Sequence, residues 1–517
     1  MLVEELTISC MDSDNLIQHR RARPGHKRHP GRTEAGISGD VRKIPAPRRD
    51  AARRWLNWVA SKGVTLIVVS CLLLCIVAFW SGGPKPGSSA FILVCIALGC
   101  FFGFRATSGR VVSGVFAMAL LCRVLFCGAL EWGALPLGQP AFNFPDEYFY
   151  YDVTTSYAAT PVKELARSEE LKESQPRRVC GFMSLYVRKL GQEVVWGRLV
   201  GAMVGAIVAS LIALACQAIN SQRALPWCAL IACCGPQLIM VSSVWLKEVW
   251  CLLGAAMCLY GMSRITNSSK VVVGVVACLL GCVILCFFRL QLGLVLLVAC
   301  CFCLVARRRS SFESIVLGLL LASGVTVGIL QFQGGSLSEE AQMHLESYSV
   351  GEWSESTLFT SANQMGGARR LVHVPILFFN PPPKNLYKLV ILKSTWILRV
   401  IRETITVQWW GIAPWVALGI LSLKREARWG VPIIMPYLAC WIIAAVMRNG
   451  VNPEAARYRD SLMPFAIVLV GFGIDKCLAD KSGNARLFVR WVYVAAIVLG
   501  IALALRDFGL VDPGMNE

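Results

Sequence analysis

Apolar runs long enough to cross a lipid bilayer recur from residue 64 almost to the C-terminus, and they dictate the fold class. A membrane helix needs about 20 apolar residues, and about 17 suffice. Inside hydrocarbon the backbone of a continuous apolar run can satisfy its own N–H and C=O groups only as a helix. The runs fall at 64–80, 90–104, 111–130, 194–219, 226–244, 249–263, 271–288, 290–305, 313–331, 404–422, 430–447, 461–476 and 488–505. They predict an all-α polytopic membrane protein with about 13 transmembrane helices. Runs 90–104 and 249–263 are the shortest. Charged residues make up only 16% of the chain, against about 25% in soluble domains.

Lysine and arginine in the short loops set the orientation. The first 62 residues carry His19-Arg20-Arg21-Ala22-Arg23, Lys27-Arg28, Arg48-Arg49 and Arg53-Arg54, a large part of the net charge of +19. With this tail in the cytoplasm, Arg105, Arg110, Arg223, Arg264, Lys270, Arg307-Arg308-Arg309, Lys424-Arg425, Arg428 and Lys476 to Arg486 all fall inside. The expected localisation is therefore a multi-pass protein of the bacterial cytoplasmic (inner) membrane with a cytoplasmic N-terminus. The basic tail is read as a positive-inside signal that can touch anionic membrane lipid, not as a nucleic-acid binder, because only membrane follows it. No secretory signal peptide is read, since the first apolar run starts late and lacks a small-residue cleavage site. Nearly all of the 22 cysteines lie inside apolar runs, where they serve as small hydrophobes. Only Cys180 falls in an outer loop, so no disulfide framework is expected.

This pattern divides the chain into a basic tail at 1–62, expected to be disordered, and two membrane helices at 63–110. A core at 111–478 follows, then a last helix and short tail at 479–517. The core sends loops 131–193, 332–403 and 448–460 and the turn 242–248 to the outer side. In the first loop, 161–173 reads as a polar helix with Val162, Leu165 and Ala166 on one side. Segment 180–190 reads as an interfacial helix with Phe182, Leu185 and Tyr186 on its apolar face and Arg188 and Lys189 outward. In the second, 334–367 reads as a polar exterior loop and 386–402 as an interfacial helix ahead of the next span. Candidate chemistry thus gathers on one membrane face.

That chemistry centres on Phe144-Pro145-Asp146-Glu147-Tyr148-Phe149-Tyr150-Tyr151. Two adjacent carboxylates at a membrane boundary can act as a base, hold a divalent cation or orient a polar substrate, or simply favour a helix N-terminus. Loop 448–460 ends in Arg457-Tyr458-Arg459. Arginine forks match phosphate oxygens, and the same residues can also be membrane anchors. Lys247-Glu248 is either a functional ionisable pair or a self-neutralising one. Arg289, near the outer boundary, can meet phosphate, whereas Arg123 calls for a carboxylate or carbonyl partner. His373, beyond the tail one of two histidines with His344, is more often structural than catalytic. No metal-ligand spacing, Walker loop, dinucleotide fingerprint or nucleophile elbow is present.

The order of these motifs resembles the GT-C superfamily of membrane glycosyltransferases, especially bacterial relatives of the protein O-mannosyltransferases. The resemblance rests on Phe-Pro-Asp146-Glu147-Tyr, Gly197-Arg198-Leu199-Val200, Pro236 to Ser243 with Leu246-Lys247-Glu248, Asn380-Pro381-Pro382-Pro383 and Ala456 to Pro464. It implies a polyprenyl-phosphate-linked sugar donor and transfer to a glycan, lipid or protein acceptor on the extracytoplasmic side. Asp146 would match the catalytic general base, with Glu147 its partner. Arg457, Tyr458, Arg459, Lys247, Arg289 and His373 are the expected substrate-binding residues. With arginines to stabilise the leaving phosphate, no metal cofactor is expected, a divalent cation being the alternative. The two helices at 63–110 depart from the family, as does the lack of a large C-terminal ectodomain. A second reading is an O-antigen-type polysaccharide polymerase or ligase, worked by 332–403 with Arg457 and Arg459. A third is a transporter, for which matching broken helices in two halves would be expected.

Overall fold

In the computed structural model the described residues are 47–80, 109–134, 145–165, 175–219, 224–267, 271–306, 396–423, 460–480 and 482–507, with single positions at 91, 94–95, 97–98, 167–168 and 171. All described regular structure is helical. We number it α1 (Pro47–Ser61), α2 (Gly63–Trp80), α3 (Gly109–Ala134), α4 (Pro145–Ala159), α5 (Val162–Leu165), α6 (Gln175–Leu190), α7 (Val194–Ala218), α8 (Leu225–Cys234), α9 (Pro236–Ser242), α10 (Glu248–Asn267), α11 (Val271–Phe288), α12 (Leu290–Ala306), α13 (Trp396–Leu423), α14 (Met463–Ala479) and α15 (Asn484–Asp507). Four are long and apolar enough to cross a membrane: Arg110–Glu131, Val194–Ala218, Glu248–Thr266 and Val271–Phe288. The count reaches six if Ala51–Ser61 with Gly63–Val77, bent by 68°, and Leu225–Cys234 with Pro236–Ser242, bent by 48°, are each one span. The chain is an all-α integral membrane protein. Helices α12, α13, α14 and α15 occupy further apolar runs. Runs 313–331 and 430–447 and most of 90–104 lie outside the described residues.

The end of the basic tail is helical rather than disordered. Ala52, Leu56 and Val59 are buried on one face of α1 at helical spacing, while Arg53 and Arg54 are exposed. That face meets α3 at Gly114, where a Cβ would come 2.5 Å from the Val59 carbonyl oxygen. Segment 386–402 and the following span are also not separate elements from residue 396 onward, because α13 runs unbroken for 28 residues. At 1.5 Å per residue that is about 42 Å, enough to cross the hydrocarbon and project beyond it.

Loop 131–193 folds into α4, α5 and α6, and the first and last of these pack on one another. Within the expected helix over 161–173 the described residues show the turn α5 and a helical position at 171. Leu165 is its buried residue, while Val162 is exposed. In α6 the buried stripe is Val179, Cys180, Met183, Val187 and Leu190, and Leu185 is half exposed. Phe182 does face apolar neighbours, with its ring 5.1 Å from Trp250 and 5.7 Å from Phe288. Arg188 turns inward instead of outward: its Nη2 donates to the carbonyls of Tyr157 and Thr160, closing the C-terminal end of α4.

The centre of the bundle is α7, and its glycines decide what lies on it. Gly197, Gly201 and Gly205 recur every four residues and form one smooth stripe. A Cβ at Gly197 would overlap the Trp245 ring. At Gly201 it would stand 2.7 Å from the Ser242 carbonyl oxygen, and at Gly205 2.5 Å from Arg123 Nε. The stripe therefore seats the end of α9 and the turn after it directly on the α7 backbone.

The break between α8 and α9 is built into Gly235-Pro236. Pro236 has no N–H to give the Ala232 carbonyl, and the N–H of Gln237 goes to Gln408 Oε1 at 3.0 Å instead of to Cys233. Arg123 on α3 takes up both freed carbonyls, with Nη2 3.2 Å from Ala232 O and Nη1 3.4 Å from Cys233 O. Its Nε donates to Ser242 Oγ at 2.7 Å. This wholly buried arginine meets carbonyls and a hydroxyl, in line with the carbonyl partner expected of it.

Candidate functional site

Proline at the first position of α4 suits a helix start, because its missing N–H would have no intrahelical partner. Asp146 is the second residue of this helix, and its side chain lies outside the described set. From Glu147 the buried face runs through Tyr150, Thr154 and Tyr157, a helical repeat of mixed chemistry. Tyr148 and Phe149 are exposed beside it, at 54% and 40%.

Glu147 has no solvent exposure. Its Oε1 accepts from Arg198 Nε at 3.1 Å and from the backbone N–H of Trp245 at 3.1 Å. Arg198 Nη1 reaches Glu131 Oε1 at 2.8 Å. One buried guanidinium thus ties the C-terminal end of α3, the first turn of α4 and the N-terminal turn of α7. The Trp245 N–H adds the turn between α9 and α10. A charge with no access to water is tolerated only when paired and hydrogen-bonded, and here both conditions hold. Tyr151, one helical turn from Glu147, packs edge-on against Trp245 at 5.3 Å. Burial first, then the negative charges of Glu193 and Asp152, raise its phenol above the usual range.

A second pair stands at the same end of the bundle. Glu248 opens α10, and Arg289 occupies the tight turn between α11 and α12. Arg289 Nη2 meets Glu248 Oε1 at 2.9 Å, with both side chains almost buried. Sequence adjacency offered Lys247 and Glu248 as a functional or self-neutralising pair, and the structure adds Arg289 as an ion-pair partner of Glu248. Lys247 is half-buried and stands close enough to α6 to act on Cys180. Burial pushes that thiol up to about 11, and the Thr154 hydroxyl and the Lys247 charge oppose the rise. Ser461, at the mouth of loop 448–460, is buried and lies beside Cys251 in the first turn of α10.

The structure therefore brings together the start of α4, Glu147, Lys247 and Arg289. Arg457, Tyr458, Arg459 and His373 lie outside the described residues, although Asp460 and Ser461 bring the end of their loop to this same region. Sequence reasoning did not single out Glu131 or Trp245, nor the pairing of Arg198 with Glu147. Arg198 stood inside a quoted motif, but its partner is 51 residues away.

Among the described residues one group could hold a metal by distance alone: the thiols of Cys258, Cys282 and Cys300, whose sulfurs lie within 4.8 Å of one another. Cys258 and Cys282 belong to a seam of small residues between α10 and α11, with Cys300 on the neighbouring α12. Gly254 and Gly261 on α10 face Gly281 and Gly274 on α11 so closely that a Cβ on any of them would meet the opposite backbone. Cys258 Sγ donates to the Cys278 carbonyl at 3.6 Å, and Cys278 Sγ to that of Cys258 at 3.7 Å. Close packing of small residues is how membrane helices associate, and it accounts for their placement. What the arrangement offers chemically is a carboxylate-bearing helix start, rigidly mounted and flanked by cations, at one end of an apolar bundle. No family model, no curated protein and no solved structure matches this chain.

Proposed function

We propose that the chain is a membrane glycosyltransferase of the GT-C type. In this reading about 13 helices span a bacterial inner membrane from a cytoplasmic N-terminus. It moves a sugar from a polyprenyl-phosphate donor to a glycan, lipid or protein acceptor on the extracytoplasmic side. The observation that supports this most is the mounting of Glu147. Its carboxylate holds the first turn of α4 against α3, α7 and the 243–247 turn, which fixes the backbone position of Asp146 next to it. A general base gains from such preorganisation. Buried and paired, Glu147 acts as a positioning residue, and the base is Asp146.

In the transfer, Asp146 takes the proton of the acceptor hydroxyl as its oxygen bonds to the sugar's anomeric carbon. The bond from that carbon to the phosphate oxygen breaks, and its electron pair leaves with the polyprenyl phosphate. Arg457 and Arg459 stabilise that leaving charge, with Tyr458 between them and His373 in the neighbouring outer segment. Arg289, paired with Glu248, and Lys247 are the further cations of this reading.

Mass spectrometry of envelope glycans, glycolipids and glycoproteins tests the reading in cells. Deleting the gene should remove one defined sugar, and restoring it should bring the sugar back. An unchanged envelope would sink the assignment. Orientation is tested at exposed Glu164. Glu164→Cys should react with a membrane-impermeant maleimide in intact cells, and reaction only after permeabilisation would place this loop inside.

A further inference from the structure

Between α6, the N-terminal half of α7 and the segment around residue 91 lies a lateral groove of about 1230 Å³. Its floor is apolar, formed by Phe91, Val94, Val200, Met203 and Trp250, and its mouth carries Arg188, Lys189 and Glu193. We propose that this groove is a binding site for one bilayer glycerophospholipid with a singly negative phosphodiester head. The site is independent of the transferase reading, because none of these residues is assigned a part in the transfer.

Three observations converge on that ligand. The first is depth. From Glu193 to Met203 the groove follows α7 for ten residues, about 15 Å at 1.5 Å each, which is half of the roughly 30 Å hydrocarbon core. The groove is one leaflet deep. The second is level. Trp250 stacks on Phe288 at 5.9 Å and meets Phe182 at 5.1 Å, with Phe287 completing the set. Tryptophan is enriched where headgroups meet acyl chains, and Trp250 lines the groove near its charged mouth, which suits a phosphate there.

The third is charge. Lys189 is exposed at the mouth. Arg188 has carbonyls, not a carboxylate, as its partners, and its Nε is buried without a hydrogen-bond partner. Glu193 offsets one of the two cations, leaving a net charge of one, which suits a monoanionic head better than a diphosphate. Gly191, at φ 127°, makes the sharp turn that sets the two cations across from Glu193; glycine alone adopts that backbone without strain.

The test uses the purified full chain with equimolar phosphatidylglycerol and phosphatidylcholine, followed by native mass spectrometry after detergent washing. Wild type should retain about one phosphatidylglycerol in preference to phosphatidylcholine. Lys189→Gln should lower that retention about fivefold, the effect of one charge near a membrane surface. Met203→Trp fills the floor and should abolish retention of both lipids. Equal retention of the two lipids by wild type, or unchanged retention in Met203→Trp, would reduce the groove to ordinary annular contact and overturn the proposal. Displacement of phosphatidylglycerol by a polyprenyl phosphate would overturn it too, giving the groove to the donor. If Met203→Trp does not fold, photoreactive phosphatidylglycerol on wild type decides. Cross-links within 186–203 are expected, and cross-links only elsewhere count against it.

Discussion

Arg198→Met is expected to lower the apparent melting temperature of the purified protein by roughly 10 °C. Arg198 is 1% exposed and bonds two carboxylates from different helices. Removing it takes the guanidinium away from Glu147, which has no solvent exposure and would keep its charge in a buried place. Breaking a buried pair from one side costs about 3–5 kcal/mol, and each kcal/mol moves the melting point of a larger domain by about 2–4 °C. The second substitution separates charge from packing. Arg198→Met with Glu147→Gln leaves no buried ion at this site, since Glu131 is about one-third exposed and can reach water. The double variant should recover more than half of the loss. Arg198→Lys should sit between, because a point charge cannot reach both carboxylates as a planar fork does. Differential scanning fluorimetry in detergent measures all four proteins. A melting temperature for Arg198→Met equal to that of wild type would show that the pair does not clamp the helices.

The helices themselves were legible in the sequence because a long apolar run has one stable form in lipid. Run 271–288 coincides with α11, and 194–219 with α7 to within a residue. Runs define spans but not their breaks: 226–244 read as one helix, although its Gly235-Pro236 marks where α8 ends and α9 begins. The apolar side of an amphipathic helix was less legible. Leu185 is apolar and half exposed, since hydrophobicity alone does not tell a lipid-facing surface from a packed one. The stripe Gly197, Gly201 and Gly205 was readable as a small-residue repeat, but what it seats, Ser242 to Trp245, depends on the fold.

The site shows the same division. Paired acids at 146 and 147 were conspicuous in sequence, yet the buried environment of Glu147 was not. Helical geometry turns consecutive residues about 100° apart, so adjacency in sequence does not tell which surface Glu147 meets. Glu147 faces the bundle beside Tyr150 and Thr154. The Arg289 partner of Glu248 was hidden for a related reason: Lys247 is adjacent in sequence, whereas Arg289 is brought close by the packing of α11 on α10.

This division underlies the expected behaviour of the two acids. If Asp146 is the base, Asp146→Asn keeps size and polarity while losing the proton acceptor, and loss of general-base help costs about 10²–10⁴ in rate. Donor affinity should stay within about twofold of wild type, because the cations of 448–460 and the 242–248 turn are unchanged. The defect then falls on kcat, as for an interaction made only in the transition state. Glu147→Gln should behave differently. It keeps an acceptor for the Trp245 N–H but gives up the ion pair with Arg198, so stability and turnover should fall together and modestly. Were the two carboxylates to share a divalent cation instead, both variants would lose activity to a similar degree, and added cation would change it. The measurement is sugar transfer by purified variants in lipid, alongside donor binding and melting temperature. Near-normal turnover for a folded Asp146→Asn would remove the base from the mechanism. The outer-loop arginines would then be left to carry a polymerase- or ligase-type reaction without it.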